Sequence, residues 1–265
     1  MKDLLKLYSF ESVHNSDDET KIADWICKWL DTNSITDYTR VDNTVYRLGN
    51  FSKPILSAHL DQVKTNGKAV KFFMNDDEKI IAFNDKWERT SLGADDKNGV
   101  WIILQCLLKD PDINFIISEG EESGCIGIKK LDNTGVLETF IDKEQFCLVL
   151  DRRGRTDMLK SGASTTFCST LAQSLCNFLD QDFKVASGSI SDTCTICQYC
   201  ESVNMSVAYE NPHTANEITD FKRLKEIRDA VLDILDGFIH YSTPPSVYCT
   251  PVYKYNGLKL GGYDD

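Results

Sequence analysis

The sequence predicts an α/β protein in three layers, with a mixed, mostly parallel central sheet and helices on both faces. Three observations carry this reading. Four short runs, residues 54–58, 114–118, 146–150 and 204–208, are almost continuously apolar, as strands buried on both faces of a parallel sheet are. Segments of helical periodicity are interleaved with those runs. Neither an internal repeat nor a low-complexity linker breaks the alternation, so residues 1–265 are expected to form a single domain.

In chain order, Ser16-Asp17-Asp18-Glu19 reads as a capping box, with Ile22, Trp25, Ile26, Trp29 and Leu30 following at helical spacing. Strands are expected at residues 42–47 and 79–83, flanking the first apolar run. Residues 99–109 are apolar nearly all round, which predicts a buried helix starting just after Asp95. Residues 167–179 are a further helical segment. Thr219 is placed to cap a long helix whose inner side carries Phe221, Leu224, Ile227, Val231, Ile234, Leu235 and Phe238. Residues 256–265, rich in glycine and charge, read as a loose tail.

Composition excludes some function classes. The formal net charge is −12 and the isoelectric point about 4.8, against the basic footprint that nucleic acids and anionic membranes require. No apolar segment approaches the ~18–20 residues needed to cross a bilayer. The N-terminal residues do not read as a signal peptide, and the ten cysteines read as reduced, mostly buried thiols, so a cytoplasmic location is expected.

The chemistry lies just beyond the four apolar runs. In order these polar clusters are His59-Leu60-Asp61, Glu121-Glu122-Ser123-Gly124, Asp151, and His213 within Pro212-His213-Thr214; Gly93-Ala94-Asp95-Asp96-Lys97-Asn98-Gly99 opens the buried helix. Ligands gather at the carboxyl ends of strands in such sheets, so these residues can converge. Imidazoles and carboxylates together suit a divalent metal such as zinc. A two-ion site needs about five ligands, one of them shared, plus a nearby base that stays free. His59, His213, Asp95, Glu122 and Asp151 supply that count, Asp61 stands two residues from His59 where it could orient the ring, and Glu121 remains as base.

This ordered set resembles the zinc-dependent exopeptidases with two co-catalytic metals, a clan that includes peptidase T, carboxypeptidase G-like enzymes, glutamyl aminopeptidases and single-domain bacterial aminopeptidases. The family's His-x-Asp is matched by His59-Leu60-Asp61, its Gly-Ala-Asp-Asp-Lys-x-Gly by residues 93–99 without departure, and its Glu-Glu-x-Gly by residues 121–124. Asp151 after a strand and the late His213 complete the pattern, and Ser187-Gly188-Ser189-Ile190-Ser191-Asp192-Thr193 resembles the turn upstream of the final histidine strand. The resemblance spans roughly residues 5–240 and implies the zinc-exopeptidase, phosphorylase/hydrolase-like fold. It implies one metal on His59, Asp95 and Asp151 and a second on Asp95, Glu122 and His213. Asp95 would bridge the ions, Asp61 would partner His59, and Glu121 would deprotonate a metal-bridging water. The ions implied are two Zn2+, with Co2+ or Mn2+ as alternatives on the same nitrogen and oxygen ligands.

Spacing narrows the expectation. Only 33 residues separate Asp61 from Asp95 and 61 separate Asp151 from His213, too few for the inserted domains of the larger members, so a lidless catalytic domain is expected. That favours an aminopeptidase on short peptides over a carboxypeptidase; a deacylase acting on N-acyl or modified amino acids is the alternative, and an inactive binding module of the same fold the third reading. Asp192 and Arg152 are candidate substrate-binding residues, with Arg153 and Arg155 beside the latter. Glu217 is read either as a helix-start carboxylate or as a support for the site. Cys194, Cys197 and Cys200 lack a fourth thiol at iron–sulfur spacing and read as core.

Overall fold

A computed structural model describes residues 1–162, 165–179 and 182–238 of the chain. The expected tail at 256–265 and His240 lie outside the described residues. In chain order the elements are α1 (Lys2–Tyr8), α2 (Asp17–Thr32), β1 (Thr39–Val41), β2 (Thr44–Arg47), β3 (Ile55–His59), β4 (Lys71–Met74), β5 (Lys79–Phe83) and β6 (Arg89–Thr90). Next come α3 (Ala94–Leu107), β7 (Asn114–Ser118), α4 (Ile126–Asn133), α5 (Val136–Phe140), β8 (Phe146–Arg152), β9 (Asp157–Gly162), β10 (Thr165–Thr166) and α6 (Ser169–Leu179). The described chain ends with β11 (Lys184–Gly188), α7 (Thr193–Ile196), β12 (Glu201–Ser206), β13 (Tyr209–Glu210), β14 (Ile218–Asp220) and α8 (Phe221–Gly237).

The main sheet runs β1-β2-β7-β3-β8-β12-β9-β10, with β11 also paired to β9. Its centre, β7-β3-β8-β12, is parallel, and antiparallel strands flank it on each side. Successive side chains of a strand point to opposite faces, and both faces here are covered, which is why the runs are apolar without alternation. Leu56, Phe115, Ile117, Leu148 and Leu150 pack on one side with α3 residues such as Trp101 and Ile103. Ile55, Ile116, Cys147 and Val149 pack on the other with Ile128, Leu131 and Leu137 of α4 and α5. The three-layer α/β arrangement expected from the sequence is the one found.

Four details differ from the sequence reading. The cap of α8 is Asp220, whose carboxylate accepts the Arg223 N–H at 2.9 Å, while Thr219 is a residue of β14 with its hydroxyl bonded to Tyr8. Strand β2 pairs with β7, so it is separated from β3 by one strand, and β5 lies in a second sheet, β13-β14-β5-β4, with β6 against β5. The N-terminal residues form a helix, α1, that buries Leu4, Leu7 and Tyr8; three residues of one helical face are too short a pattern to stand out. The capping box at α2 is half present: Ser16 Oγ accepts the Glu19 N–H at 3.2 Å, while the Glu19 carboxylate takes the Asn15 N–H at 2.8 Å and His14 Nδ1 at 3.0 Å. His14 is thereby tied to that helix start.

Candidate metal centre

The site lies at the carboxyl ends of the parallel strands, where open α/β sheets bind ligands. His59 is the last residue of β3, Glu121 and Glu122 follow shortly after β7, and Asp151 stands near the end of β8. His213 arrives differently. After β12 the chain leaves the main sheet through Ala208 (φ 62°), pairs as β13 with β14 in the second sheet, and presents His213 from the loop between them with φ 63°. Asp95 sits where α3 starts; it and Asp96 have non-helical dihedrals and are joined by a cis peptide, and regular helix follows them.

All five sequence-predicted ligands converge. His59 Nε2 lies 3.3 Å from Asp95 Oδ1 and 3.5 Å from Asp151 Oδ1, and His213 Nε2 lies 3.2 Å from Asp95 Oδ2 and 2.6 Å from Glu122 Oε1. A tetrahedral ion with bonds of about 2.0–2.1 Å sets its ligand atoms about 3.3 Å apart, so three of these four separations are those of a shared ion. Asp95 turns one oxygen to each histidine, as a bridging carboxylate does. His59 Nε2 is buried without a hydrogen-bond partner. A buried lone pair left unpaired is costly, and a cation between the facing atoms removes that cost. The residues therefore fit two divalent ions. Donor atoms of Asp96 also lie near His59 and Asp151, but the Asp96 carboxylate already accepts the backbone N–H groups of His59 (3.1 Å) and Gly99 (3.2 Å), so it clamps backbone instead.

Buried polar contacts hold each group. Asp61 Oδ1 accepts the Glu121 N–H at 2.9 Å and Oδ2 the Glu122 N–H at 3.2 Å, and the same carboxylate lies 3.3 Å from His59 Nδ1. His59 Nδ1 is also 3.1 Å from the Asp61 carbonyl, so the proton belongs on Nδ1 and the Nε2 lone pair faces the centre. Glu217, fully buried, accepts the Asp95 N–H at 3.2 Å and the Ser91 hydroxyl at 2.6 Å, the acceptor arrangement of its second reading. Asn98 takes the Tyr8 hydroxyl at 2.5 Å and donates to the Val207 carbonyl at 2.8 Å, tying α1 and α3 to the segment that leads to His213. Lys97 donates to the Phe10 carbonyl and to Gln62. Two glycines of the motif are explained by close approach: a Cβ at Gly93 would meet Gln62 and Lys97, and one at Gly99 would meet the Leu150 carbonyl and the Asp96 carboxylate.

Electrostatics point the same way. Burial pushes the Glu121 carboxyl up to about 9, reinforced by Asp151, Asp192 and Glu122 and opposed by His59. Burial likewise lifts Asp151 to about 7 and Asp192 to about 6. Burial alone would lower His59, but Asp151, Asp61 and Asp95 hold it well above its ordinary value. Asp95 and Glu122 raise His213 to about 10. Five carboxylates thus crowd two imidazoles, an excess of negative charge that calls for cations.

Asp95, Glu121, Glu122, Asp151 and His213 line a cavity of about 920 Å³. Arg152 lines it and is paired to Asp157 through contacts of 3.2 Å. Asp192 does not reach it; the residue is buried beneath, accepting the Ser118 hydroxyl. Cys197 and Cys200 are buried in separate apolar clusters, and among the described residues no candidate ligand group contains them or Cys194. Sequence reasoning missed Tyr209, a buried, cavity-lining phenol that donates to the Asp151 carbonyl at 3.3 Å; a tyrosine behind an apolar strand reads as core.

Neither a protein-family model nor a curated protein sequence matches the chain. Solved structures do. A tripeptidase from Staphylococcus aureus superposes with a TM-score of 0.65 at 18% identity, covering 88% of this chain and 96% of that one. Aminopeptidase PepT from Bacillus cereus gives 0.64 at 17% identity, with 88% and 96% covered. An aminopeptidase from the archaeon Desulfurococcus kamchatkensis gives 0.62 at 13%, with 88% and 93% covered. The chain has the fold of these peptidases. The fold expected from the motif resemblance is thus the fold found, although fewer than one residue in five is identical across the aligned backbones.

Proposed function

We propose that the chain is a metal-dependent amide hydrolase, an aminopeptidase acting on short peptides. The observation that carries this is the Asp95 carboxylate, which turns one oxygen to His59 and the other to His213, with Asp151 and Glu122 completing the two sets. Two zinc ions, held by His59, Asp95 and Asp151 and by Asp95, Glu122 and His213, with cobalt or manganese as alternatives, would polarise the scissile carbonyl and acidify water. Glu121 is close to this set, 3.9 Å from His59 Nε2, without being needed as a ligand. It takes the proton of the attacking water as the oxygen bonds to the carbonyl carbon, and delivers it to the nitrogen as the carbon–nitrogen bond breaks. Asp61 holds that base through the backbone of residues 121 and 122. The shared fold of an aminopeptidase and a tripeptidase supports the reading. Among the described residues, those between Asp61 and Asp95 include β4, β5 and β6, and those between Asp151 and His213 contribute β9, β10, β11 and β12 to the main sheet, which supports the lidless reading.

Protein purified without chelator is expected to carry close to two divalent ions per chain and to hydrolyse aminoacyl amides and short peptides, with activity lost to chelator and restored by metal. Glu121→Ala should lower kcat by about 10²–10⁴-fold while metal content stays unchanged. A chain that keeps no metal and stays inactive after addition of zinc, cobalt or manganese refutes the proposal. Activity confined to N-acyl amino acids would replace the aminopeptidase reading with a deacylase.

A further inference from the structure

Three arginines sit on the turn after Asp151, and the fold treats them differently. Arg152 is neutralised by Asp157 and Arg155 by Asp220. Arg153, exposed and lining the cavity, has no carboxylate partner among the described residues. Every acidic residue that lines the cavity, namely Asp95, Glu121, Glu122 and Asp151, belongs to the candidate metal centre, so none is left for it. The backbone that carries Arg153 is nevertheless fixed. Ser206 Oγ donates to its carbonyl at 3.0 Å, the Val207 N–H to the Arg152 carbonyl at 2.8 Å, and the Gly154 N–H to the Tyr209 carbonyl at 2.7 Å. A guanidinium without a carboxylate partner among the described residues, on a backbone fixed at its root, therefore belongs to a residue that lines the cavity holding the reactive groups.

We infer that Arg153 recognises a carboxylate on the substrate, the C-terminal carboxylate of a di- or tripeptide. The inference rests on the aminopeptidase reading and names the substrate class for it. A guanidinium matches a carboxylate in a planar, two-bond pair, which favours this ligand over a neutral amide. The reach agrees. The Cα of residue 153 stands at most about 7 Å from that of Asp151, and in an extended tripeptide the terminal carboxylate lies about 7 Å beyond the first carbonyl. The same chemistry would also bind an acidic side chain, and peptide amides separate the two sources.

The test compares wild type, Arg153→Gln and Arg153→Lys on Ala-Ala-Ala, on its C-terminal amide, and on Ala-Glu-Ala amide. Wild type should prefer the free acid to the amide in kcat/KM by about 10- to 100-fold, the scale of one charge-assisted hydrogen bond. That ratio should fall towards one in Arg153→Gln and be partly kept in Arg153→Lys. A preference for Ala-Glu-Ala amide that is lost in Arg153→Gln assigns the recognised carboxylate to a side chain and overturns the terminal assignment. Equal treatment of acid and amide by wild type, or an unchanged ratio in Arg153→Gln, overturns carboxylate recognition altogether. Calorimetric binding of Ala-Ala-Ala and its amide to Glu121→Gln protein, with and without Arg153→Gln, reads the same preference without turnover. Arg153-dependent binding of the acid to a protein whose wild type cleaves neither peptide keeps the recognition and rejects the peptidase reading.

Discussion

Replacing Asp61 with asparagine tests whether one buried carboxylate organises the centre. Its two oxygens accept two backbone N–H groups, Glu121 at 2.9 Å and Glu122 at 3.2 Å, and the residue is completely buried. Neither donor can reverse its role, unlike a hydroxyl. An asparagine of the same shape offers one oxygen and one NH2, so one N–H must face another donor. The loss is one charge-assisted hydrogen bond, about 1.5–3 kcal/mol, plus a stranded donor at about 1–3 kcal/mol. Residues 121 and 122 are only partly buried, so the low end applies and about 2.5–4 kcal/mol is expected. The His59 ring keeps its contact with the Asp61 carbonyl, 3.1 Å from Nδ1, so its direction should survive. The displaced Glu121 should cost activity on the order of 10²-fold, the scale of a 1 Å misplacement. Urea unfolding of metal-free protein gives the first quantity and kcat/KM on a tripeptide the second. Stability within about 0.5 kcal/mol of wild type together with activity within about twofold would falsify the assignment of Asp61 as the organiser of the base.

The geometry yields three further outcomes. His213→Ala should drop metal content from two ions to one per chain while changing stability by less than about 1 kcal/mol, since the side chain is 44% exposed; elemental analysis of dialysed protein reads the ratio, and two retained ions would remove His213 from the ligand set. Gly99→Ala should cost about 1–3 kcal/mol as the added methyl pushes α3 away from the Leu150 carbonyl, and it should weaken metal binding by parting Asp95 from Asp151; calorimetric melting with metal titration checks both, and a variant that binds metal normally contradicts the close-packing argument. Asp18 is held down at about 2: burial opposes this, but contacts of 2.5 Å to Lys68, 3.0 Å to Lys21 and 3.2 Å to the Glu11 N–H outweigh it. Because the folded value is depressed, this contribution is fully present above the unfolded value of 3.8 and is lost as pH falls through 2. Discounted for the solvent around both lysines, Asp18→Asn should cost about 1 kcal/mol at pH 7, and the gap to wild type should close between pH 4 and 2; a gap that widens on acidification reverses the sign and refutes the pairing.

Much of this was legible in the chain itself because it depends on local properties. Burial on both faces demands an unbroken apolar run, so β3, β7 and β8 were visible as strands. The order His59, Asp61, Asp95, Glu121, Glu122, Asp151, His213 was visible because side-chain type alone marks potential ligands. The glycines at 93 and 99 were visible as a motif, but their reason, a helix pressed against a strand-end carbonyl, was not. Helix α1 stayed hidden because its apolar face has only three residues, and its stability comes from packing, including the bond from Tyr8 to Asn98, 90 positions away. The partner of β2 and the sheet membership of β5 were equally out of reach, since pairing is a long-range choice that alternation does not encode.

Tertiary structure alone decided which oxygen faces which nitrogen. Two aspartates stand side by side at 95 and 96 with the same side chain. The backbone turns one between two histidines and engages the other with two N–H groups. Arg152, Arg153 and Arg155 are equally alike in sequence, and only folding supplied acids to the first and last, with none for the middle one among the described residues. Residue type determined what chemistry was available to this protein. Long-range packing determined which groups are neutralised within the fold and which remain open to a ligand, because a charge is satisfied by whatever the chain brings near it.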